Sequence, residues 1–275
     1  MTSEVMISVL VENQVGRSGL GIEHGLSLWI ETPEHKVLFD AGQSDLVLAN
    51  AQGLGIDLSQ TDAIVLSHGH YDHTGGVAAV LELAPRAKVF LHPAALESRF
   101  SRKMSSSQSI GMSETVQQSL KHHDVIWTVA PAQVGAGIHV TGQVPRLHPL
   151  EDTGGDFYLD RQACLSDPIL DDQSLWIETE RGVSILLGCA HAGVMNILGY
   201  IAELAEVETF HTVLGGMHLL HASPERIIQT EAALHRYQLE SLIPGHCTGE
   251  HVVERWSRVF PKCYSACFVG KEICL

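Results

Sequence analysis

Positive charge is scarce in this sequence. Lysine and arginine together number 17 against 32 aspartates and glutamates, which gives a formal net charge of −15 over 275 residues. A surface that binds duplex nucleic acid needs clustered basic side chains that neutralise phosphates. A nucleic-acid partner is therefore not expected. A small phosphorylated substrate stays open, because bound metal ions supply positive charge locally.

Long apolar segments and paired cysteines are also missing. No run approaches the roughly 18 apolar residues of a membrane-spanning helix, and residues 1–5 carry no basic segment typical of a signal peptide. The six cysteines are scattered, and the last three match no common zinc pattern: Cys164, Cys189, Cys247, Cys263, Cys267 and Cys274. We expect a cytoplasmic protein with reduced thiols and no membrane partner.

Histidine, by contrast, is abundant. The 17 histidines equal the lysines and arginines combined, an excess that fits a metal protein. Apolar residues make up 45% of the chain, which is long enough to bury a large core. Short apolar strands alternate with helical stretches, and no linker or low-complexity tract interrupts them. The sequence therefore predicts one α/β domain over residues 1–275.

The stretch 66–76 concentrates the chemistry. It follows a β-branched apolar run and precedes a helical run, so it lies on a loop at the carboxyl end of a strand, where α/β folds usually place their sites. Imidazole and carboxylate groups suit zinc and similar divalent ions. His68 and His70 lie two residues apart and can converge on one ion, whereas Asp72 and His73 follow at the turn and can bind a second.

The same pattern of a buried strand that ends in a histidine recurs along the chain. His191 and His246 follow apolar runs and are candidate metal ligands. His218 also follows a strand, and both a metal role and a substrate contact stay open for it. His92 is a candidate for substrate contact, with a plain surface position as the alternative. His148 lies in a loop and is a weaker ligand candidate.

Two connections border the expected cleft. The polar segment 101–114 shows little periodicity and is interpreted as a surface loop near the cleft, with a mobile lid as the alternative. The acidic segment 151–172 resembles an insertion that covers the active-site face. Asp172, at its end, is interpreted as part of a solvated turn, with a contact to ligand as the alternative.

The motif His-x-His-x-Asp-His after a hydrophobic strand resembles the signature of the metallo-β-lactamase fold superfamily. Further matching segments are 10–13, 23–27, 38–42, 188–193 and 244–249. Together they resemble the branch that includes the archaeal dihydropterin–ribofuranosylaminobenzene phosphate synthases. The resemblance implies an αββα sandwich and a centre of two divalent ions, with zinc expected first and manganese or iron(II) as alternatives.

The resemblance also implies a division of ligands. His68, His70 and one later histidine serve one ion, and Asp72, His73 and His246 serve the other. The superfamily pattern usually adds a bridging carboxylate after a late strand. This chain has Cys189 and His191 at that strand end and no aspartate, so the bridging ligand stays open.

Four residues are expected around this centre as substrate contacts or as supports of the ligands: Asp40, His92, His218 and Glu23. In the resembling family the residue that matches Asp40 steadies the ligand loop, although a turn or cap role is equally compatible with its local sequence. Glu12 and Glu23 are expected to orient ligand histidines by hydrogen bonds.

These features predict a metal-dependent hydrolase that uses metal-activated water on a small phosphorylated or pterin-like substrate. Asp72 could accept the proton of the attacking water as well as bind metal. Three alternatives remain. They are a synthase that displaces pyrophosphate from a dihydropterin, a lactone or thioester hydrolase, and a metal-binding sensor without turnover. The sequence leaves the oligomeric state open.

Overall fold

The computed structural model describes residues 4–14, 16–103 and 106–275. Its α-helices are α1 (Leu46–Gly53), α2 (Tyr71–Thr74), α3 (Val77–Leu83), α4 (Glu114–Leu120), α5 (Val194–Leu204), α6 (Pro224–Arg236) and α7 (Glu250–Val259). Its strands are β1 (Met6–Val11), β2 (Ser27–Glu31), β3 (Lys36–Phe39), β4 (Ala63–Val65), β5 (Lys88–Leu91), β6 (Phe100–Lys103), β7 (Ser106–Ser109), β8 (Val125–Trp127), β9 (Ala132–Gly135), β10 (Ile138–Val140), β11 (Phe157–Tyr158), β12 (Leu175–Thr179), β13 (Gly182–Leu187), β14 (Thr212–Gly216), β15 (Ser241–Gly245) and β16 (Glu272–Cys274).

The first sheet has seven strands in the order β16-β1-β2-β3-β4-β5-β8. Its pairs from β16 to β3 are antiparallel, and those from β3 to β8 are parallel. Every side chain of β4 is buried, which is typical of a parallel strand covered on both faces. Because β3 and β4 are parallel, the residues that follow them, Asp40 and the 67–73 loop, meet at one edge of the sheet.

The second sheet has six strands in the order β15-β14-β13-β12-β10-β9. Strands β13, β14 and β15 are parallel neighbours, joined by crossovers that contain α5 and α6. Their carboxyl ends therefore lie side by side at one edge. The residues that follow these three strands supply the later part of the candidate site.

Three apolar layers separate the helices and sheets. The inner layer joins the two sheets through residues such as Phe39 and Val65 on the first and Leu186 and Leu214 on the second. One outer layer packs α1, α3 and α4 on the first sheet, and the other packs α5, α6 and α7 on the second. Each fully buried side chain of this size contributes about 1.5–3 kcal/mol. The predicted αββα sandwich is confirmed.

One prediction of local structure is wrong. The polar segment 101–114 is not a loop, because β6 pairs antiparallel with β7 and also with β11, which makes a three-stranded sheet. Backbone hydrogen bonds hold this polar sheet, so no apolar periodicity marks it; Met104 and Ser105 lie outside the described residues. Among the described helices, none has the length and apolar character to cross a membrane.

Candidate metal centre

Three histidines from the two sheets form the first donor set. His68 and His70 follow β4, and His191 follows β13, and one ring nitrogen from each lies within 4.8 Å of the others. The His68 Nε2 and His70 Nδ1 atoms are 2.9 Å apart. Burial lowers the pKa of all three rings well below the usual value. They are therefore neutral near pH 7, which is the form that binds metal.

The second donor set consists of Asp72, His73 and His246, and His24 lies beside it. The His73 and His246 Nε2 atoms are 3.2 Å apart, and the Asp72 Oδ2 atom lies 3.8 Å and 3.5 Å from them. His24 Nε2 lies 3.1 Å from the same carboxylate oxygen. Burial opposes the charge of Asp72, but the surrounding histidines hold its pKa well below the usual value.

Partners on the far side of the ring orient three of the candidate ligand histidines and select one tautomer when the ring is neutral. His73 Nδ1 donates to Asp40 Oδ2 at 2.7 Å, and His191 Nδ1 donates to the Thr153 carbonyl at 2.6 Å. His246 Nδ1 donates to Asn13 Oδ1 at 3.3 Å. Each arrangement leaves an Nε2 lone pair that faces the other donors, as in metal-binding histidines.

Unpaired donor atoms test whether these residues fit a cation. Among residues 4–14, 16–103 and 106–275, the buried Nε2 atoms of His70 and His191 have no hydrogen-bond partner, although buried polar atoms normally have one. Burial opposes the charge of His73, yet Asp40 and Asp72 raise its pKa to about 9. The cluster therefore attracts positive charge, and a divalent ion replaces such a proton when it binds. The donor set fits a divalent cation.

Two buried aspartates hold the 67–73 loop. Asp40 accepts from the Ser67 backbone N–H and from the Ser67 hydroxyl, both at 2.7 Å. The hydroxyl in turn accepts from His68 Nδ1 at 2.9 Å. Asp171 accepts from the Gly69 N–H at 2.7 Å and pairs with the fully buried Arg99 guanidinium. Asp40 therefore holds this loop at Ser67, and Asp171 holds it at Gly69.

Strand ends around the centre carry unusual backbone geometry. Asp40, Ala190, His218 and His246 have φ angles of 59°, 58°, 44° and 51°, although none is glycine. They follow β3, β13, β14 and β15, respectively. Left-handed conformations of such residues cost of order 1–3 kcal/mol each and cluster at functional sites. The four strained residues lie where the chain turns after a strand, beside the candidate centre.

Two thiols adjoin the histidines. The Cys189 Sγ atom lies 3.2 Å from His73 Nε2 and 3.3 Å from the Cys247 Sγ atom. Neither cysteine was predicted as part of the site, because the superfamily pattern predicts a bridging carboxylate after β13. The signal that could have found them is their position just after parallel strands, the same position that singled out the histidines.

A cleft of about 590 Å³ opens onto the centre. Phe157 of β11 forms one wall, with its ring centroid 5.3 Å from those of His70 and His191. Exposed Arg102 and half-exposed His24 also line the cleft. The acidic segment 151–172 therefore borders the site through Phe157, as its interpretation as a covering insertion required.

A family model described as the metallo-beta-lactamase superfamily matches residues 20–159. This match spans half of the chain and includes the complete His-x-His-x-Asp-His motif. The chain belongs to the metallo-beta-lactamase superfamily. Membership in the superfamily implies that the fold binds divalent metal.

Relatives of known name resemble the chain over almost its full length. One is the 7,8-dihydropterin-6-methyl-4-(beta-D-ribofuranosyl)-aminobenzene-5'-phosphate synthase of Methanocaldococcus jannaschii. It is 27% identical to this chain, and the match covers 98% of this chain and 96% of the relative. The uncharacterized protein MJ0448 of the same organism is 32% identical over 98% of this chain and 99% of its own length. A crystal structure of a metal-dependent hydrolase of the beta-lactamase superfamily has a TM-score of 0.84 and 30% identity, with 98% of each chain covered. The predicted superfamily and its synthase-containing branch are confirmed.

Several expectations about the surroundings of this superfamily centre need correction. The Glu23 carboxylate accepts from the Gln43 and Ser44 N–H groups, so it holds the loop after β3 rather than a ligand histidine. Glu12 accepts from the backbone N–H of His246 at 2.6 Å, so its support acts on the main chain and not on the ring.

Two further histidines lie away from the cleft. His92 accepts from the Ala94 N–H at the start of a short 3-10 turn and is not among the residues that line the cleft, so the expected substrate contact is not supported. His148 is half-buried and accepts from the Leu150 N–H. His218 does line the cleft, with its ring 4.4 Å from that of His191.

Asp172 is not in a solvated turn. It is 1% exposed, and it accepts from the Ala192 N–H at 2.8 Å, directly after His191. Burial raises its pKa to about 7. Asp171 and Asp172 thus contact the two ligand segments of the first donor set from neighbouring positions, a pairing that the sequence analysis missed.

Proposed function

We propose that the chain is a metal-dependent hydrolase with two divalent ions, which acts on a small phosphorylated or pterin-like molecule. The observation that carries the proposal is the pair of adjacent donor sets. His68, His70 and His191 form one, and Asp72, His73 and His246 form the other. Two divalent ions held there would supply an acidified water and stabilise the charge that develops on a phosphoryl or acyl oxygen.

The protein's own groups would move the proton. His24 bridges the buried Asp72 carboxylate and the cleft, with 54% of its side chain exposed. The hydrogen bond that the His24 ring donates to the Asp72 carboxylate raises the pKa of His24. A proton released near Asp72 would pass to the Nε2 atom of His24, and the ring would release a proton from Nδ1 to solvent or to the leaving group. His24 is thus a candidate general acid and base that the sequence analysis did not single out.

The cleft wall favours a substrate that combines a planar ring with an anionic group. The Phe157 ring offers an aromatic face next to the histidines, and Arg102 offers a cation at the opening. The net charge of −15 makes positive groups scarce elsewhere. An anionic substrate would therefore be attracted by Arg102 and by the metal centre together.

A synthase is the second candidate function. The observation that favours it is the relative from Methanocaldococcus jannaschii, whose name describes such a synthase and which matches 98% of this chain. In the proposed reaction the nitrogen of an amine would bond to the activated carbon of a dihydropterin, the carbon–oxygen bond would break so that pyrophosphate leaves, and the nitrogen would release its proton to solvent. The aromatic wall at Phe157 would hold the pterin ring by stacking.

Metal analysis tests the shared basis of both candidates. Protein purified without chelator is expected to carry about two equivalents of divalent metal by plasma mass spectrometry. A His70→Ala variant is expected to lose metal, whereas the exposed His122→Ala control is not. Absence of metal, with no uptake of added zinc, manganese or iron(II), would contradict both candidates.

Product analysis separates the two candidates. The metal-replete protein is incubated with phosphate mono- and diesters, and separately with a pyrophosphate-activated dihydropterin with and without an aromatic amine. Phosphorus NMR that shows ester hydrolysis without the amine supports the hydrolase. Release of pyrophosphate that requires the amine supports the synthase instead. Lactones and thioesters are assayed in parallel. Turnover of these alone would overturn the assignment of a phosphorylated or pterin-like substrate.

A further inference from the structure

Three adjacent strand ends carry donors that neither proposed ion uses. Cys189 follows β13, His218 follows β14 and Cys247 follows β15, each two residues beyond the last residue of its strand. Because these strands are parallel neighbours, the three side chains meet at one edge of the second sheet. Their donor atoms all lie within 4.8 Å of one another.

The chemistry of this group differs from that of the histidine–aspartate centre. Two thiols and one imidazole favour a thiophilic ion such as zinc or cadmium over magnesium or calcium. The two sulfur atoms are 3.3 Å apart, close to the about 3.8 Å that a tetrahedral zinc ion with bonds of about 2.3 Å would set. The buried His218 Nδ1 atom also has no hydrogen-bond partner in the part of the chain that the structure describes.

The backbone beneath the group is shaped to admit the sulfur atoms. Gly216 lies on the middle strand, and a Cβ atom there would lie 2.8 Å from the Cys247 Sγ atom and 2.4 Å from the Gly188 carbonyl oxygen. The lack of a side chain at Gly216 lets the Cys247 sulfur cross the middle strand toward Cys189. Both thiols and His218 line the cleft, so an ion can reach them from solvent.

We propose that Cys189, Cys247 and His218 form a further cation site for a thiophilic metal, beside the histidine–aspartate centre. On binding, each thiol releases its proton to solvent and each sulfur donates a lone pair to the ion. The site is separate in composition from the two donor sets described above. Cys189 also lies within reach of His68 and His73, so the test must distinguish a separate site from a sulfur bridge.

Cobalt titration of the reduced, chelator-treated full-length protein provides that test. Thiolate-bound cobalt(II) absorbs in the near ultraviolet, whereas cobalt held by nitrogen and oxygen shows only weaker visible bands. The wild type is expected to show the near-ultraviolet absorption and to bind about one equivalent of cobalt more than a Cys247→Ser variant. The variant is expected to keep the visible bands of the histidine–aspartate centre.

Matched variants make the outcome decisive. Cys189→Ser and His218→Ala are expected to lose or shift the near-ultraviolet band, and Cys267→Ser, another buried thiol outside the group, is expected to keep it. Circular dichroism checks that each variant folds, and Cys247→Ala serves as a second variant if the serine is not tolerated.

Three results would overturn the separate site. They are a wild type that binds cobalt without the band, a band that survives both cysteine substitutions, and a band that depends on Cys189 but not on Cys247. The last would place Cys189 between the two ions of the main centre. Failure of the proposed function is distinguishable, because His70→Ala weakens the visible bands of the histidine–aspartate centre and leaves the near-ultraviolet band of the sulfur group.

Discussion

The two sheets supply the candidate centre in different ways. The first sheet contributes four donors from one loop, residues 68–73, which Asp40 and Asp171 hold by hydrogen bonds to its backbone and side chains. The second sheet contributes single residues at separate strand ends, such as His191 and His246, each with its own support. The first arrangement is a local motif, whereas the second depends on the parallel register of three strands.

This difference predicts how many candidate ligands are disturbed when a supporting residue is replaced. A change in a support of the loop should disturb several ligands at once, because they share one short segment. A change in a support of a single strand end should disturb one ligand only. Variants of these supporting residues test that contrast, in order of decreasing predicted loss of stability or metal affinity.

The largest effect is expected for Asp171→Ala. This substitution removes the closer of the two carboxylates that pair with the buried Arg99 guanidinium, leaving Asp167 at 3.5 Å, and frees the Gly69 N–H. Removal of one partner from a buried ion pair costs about 3–5 kcal/mol. Denaturant unfolding of chelator-treated protein measures the loss, with exposed Asp45→Ala as control. A loss no greater than that of the control would show that Asp171 does not hold the loop.

Asp172 gives the next effect, as a dependence on pH. Burial raises its pKa in the folded chain to about 7, against 3.8 for an unperturbed aspartate, so the folded chain holds the proton more tightly than the unfolded chain. The free energy of unfolding of the metal-free wild type should therefore fall as pH rises from about 4 through about 7, by about 4 kcal/mol from this group.

Asp172→Asn should remove this part of the slope, because the amide keeps the acceptor for the Ala192 N–H without a charge. Urea unfolding at several pH values measures the difference between the wild type and the variant. Parallel pH profiles would show that the carboxyl titrates normally in the folded protein. Asp45→Asn, at an exposed position, controls for the loss of a negative charge.

Asp40→Asn should weaken metal binding by about 10–100-fold, the range typical for groups that orient ligands. The carboxylate supports His73 directly and His68 through Ser67. Asn13→Ala removes the partner of His246 alone and should have a smaller effect. Competition with a chromophoric chelator measures both affinities. Equal losses would contradict the contrast between the shared loop and the separate strand ends.

The smallest effect is expected for Glu23→Gln. The carboxylate bonds to the loop after β3 and not to a ligand ring, and the amide keeps an acceptor oxygen. The unfolding free energy should fall by about 1 kcal/mol or less, and the metal affinity should stay unchanged within error. A clear loss of metal affinity would mean that this loop helps to place the ligands after all.

Much of the site was predictable because it is local in sequence. The 68–73 motif follows a buried strand, so its donors share one loop whatever the rest of the fold does. The strand-end position also singled out His191 and His246, and the structure brings both beside the loop. Their roles as ligands stay predictions that the metal analysis will decide.

Other parts depend on contacts that no local pattern reveals. Asp172 resembles a turn residue in an acidic segment, yet it is buried because that segment reaches the residues after β4 and β13, where Asp171 and Asp172 accept from the Gly69 and Ala192 N–H groups. The polar strands β6 and β7 carry no apolar alternation, and backbone pairing alone defines them. His92 occupies the same kind of strand end as His191, but it caps a turn away from the cleft.

The sequence by itself determined the α/β class, the superfamily and the contiguous donor loop, because strand periodicity and a six-residue motif are properties of neighbouring residues. The proximity of Cys189, His218 and Cys247 appears only in the folded chain. The same is true of the contacts that Asp171 and Asp172 make with Gly69 and Ala192. The physical reason is register. The parallel alignment of β13, β14 and β15 brings residues 58 positions apart to sulfur–sulfur contact at 3.3 Å.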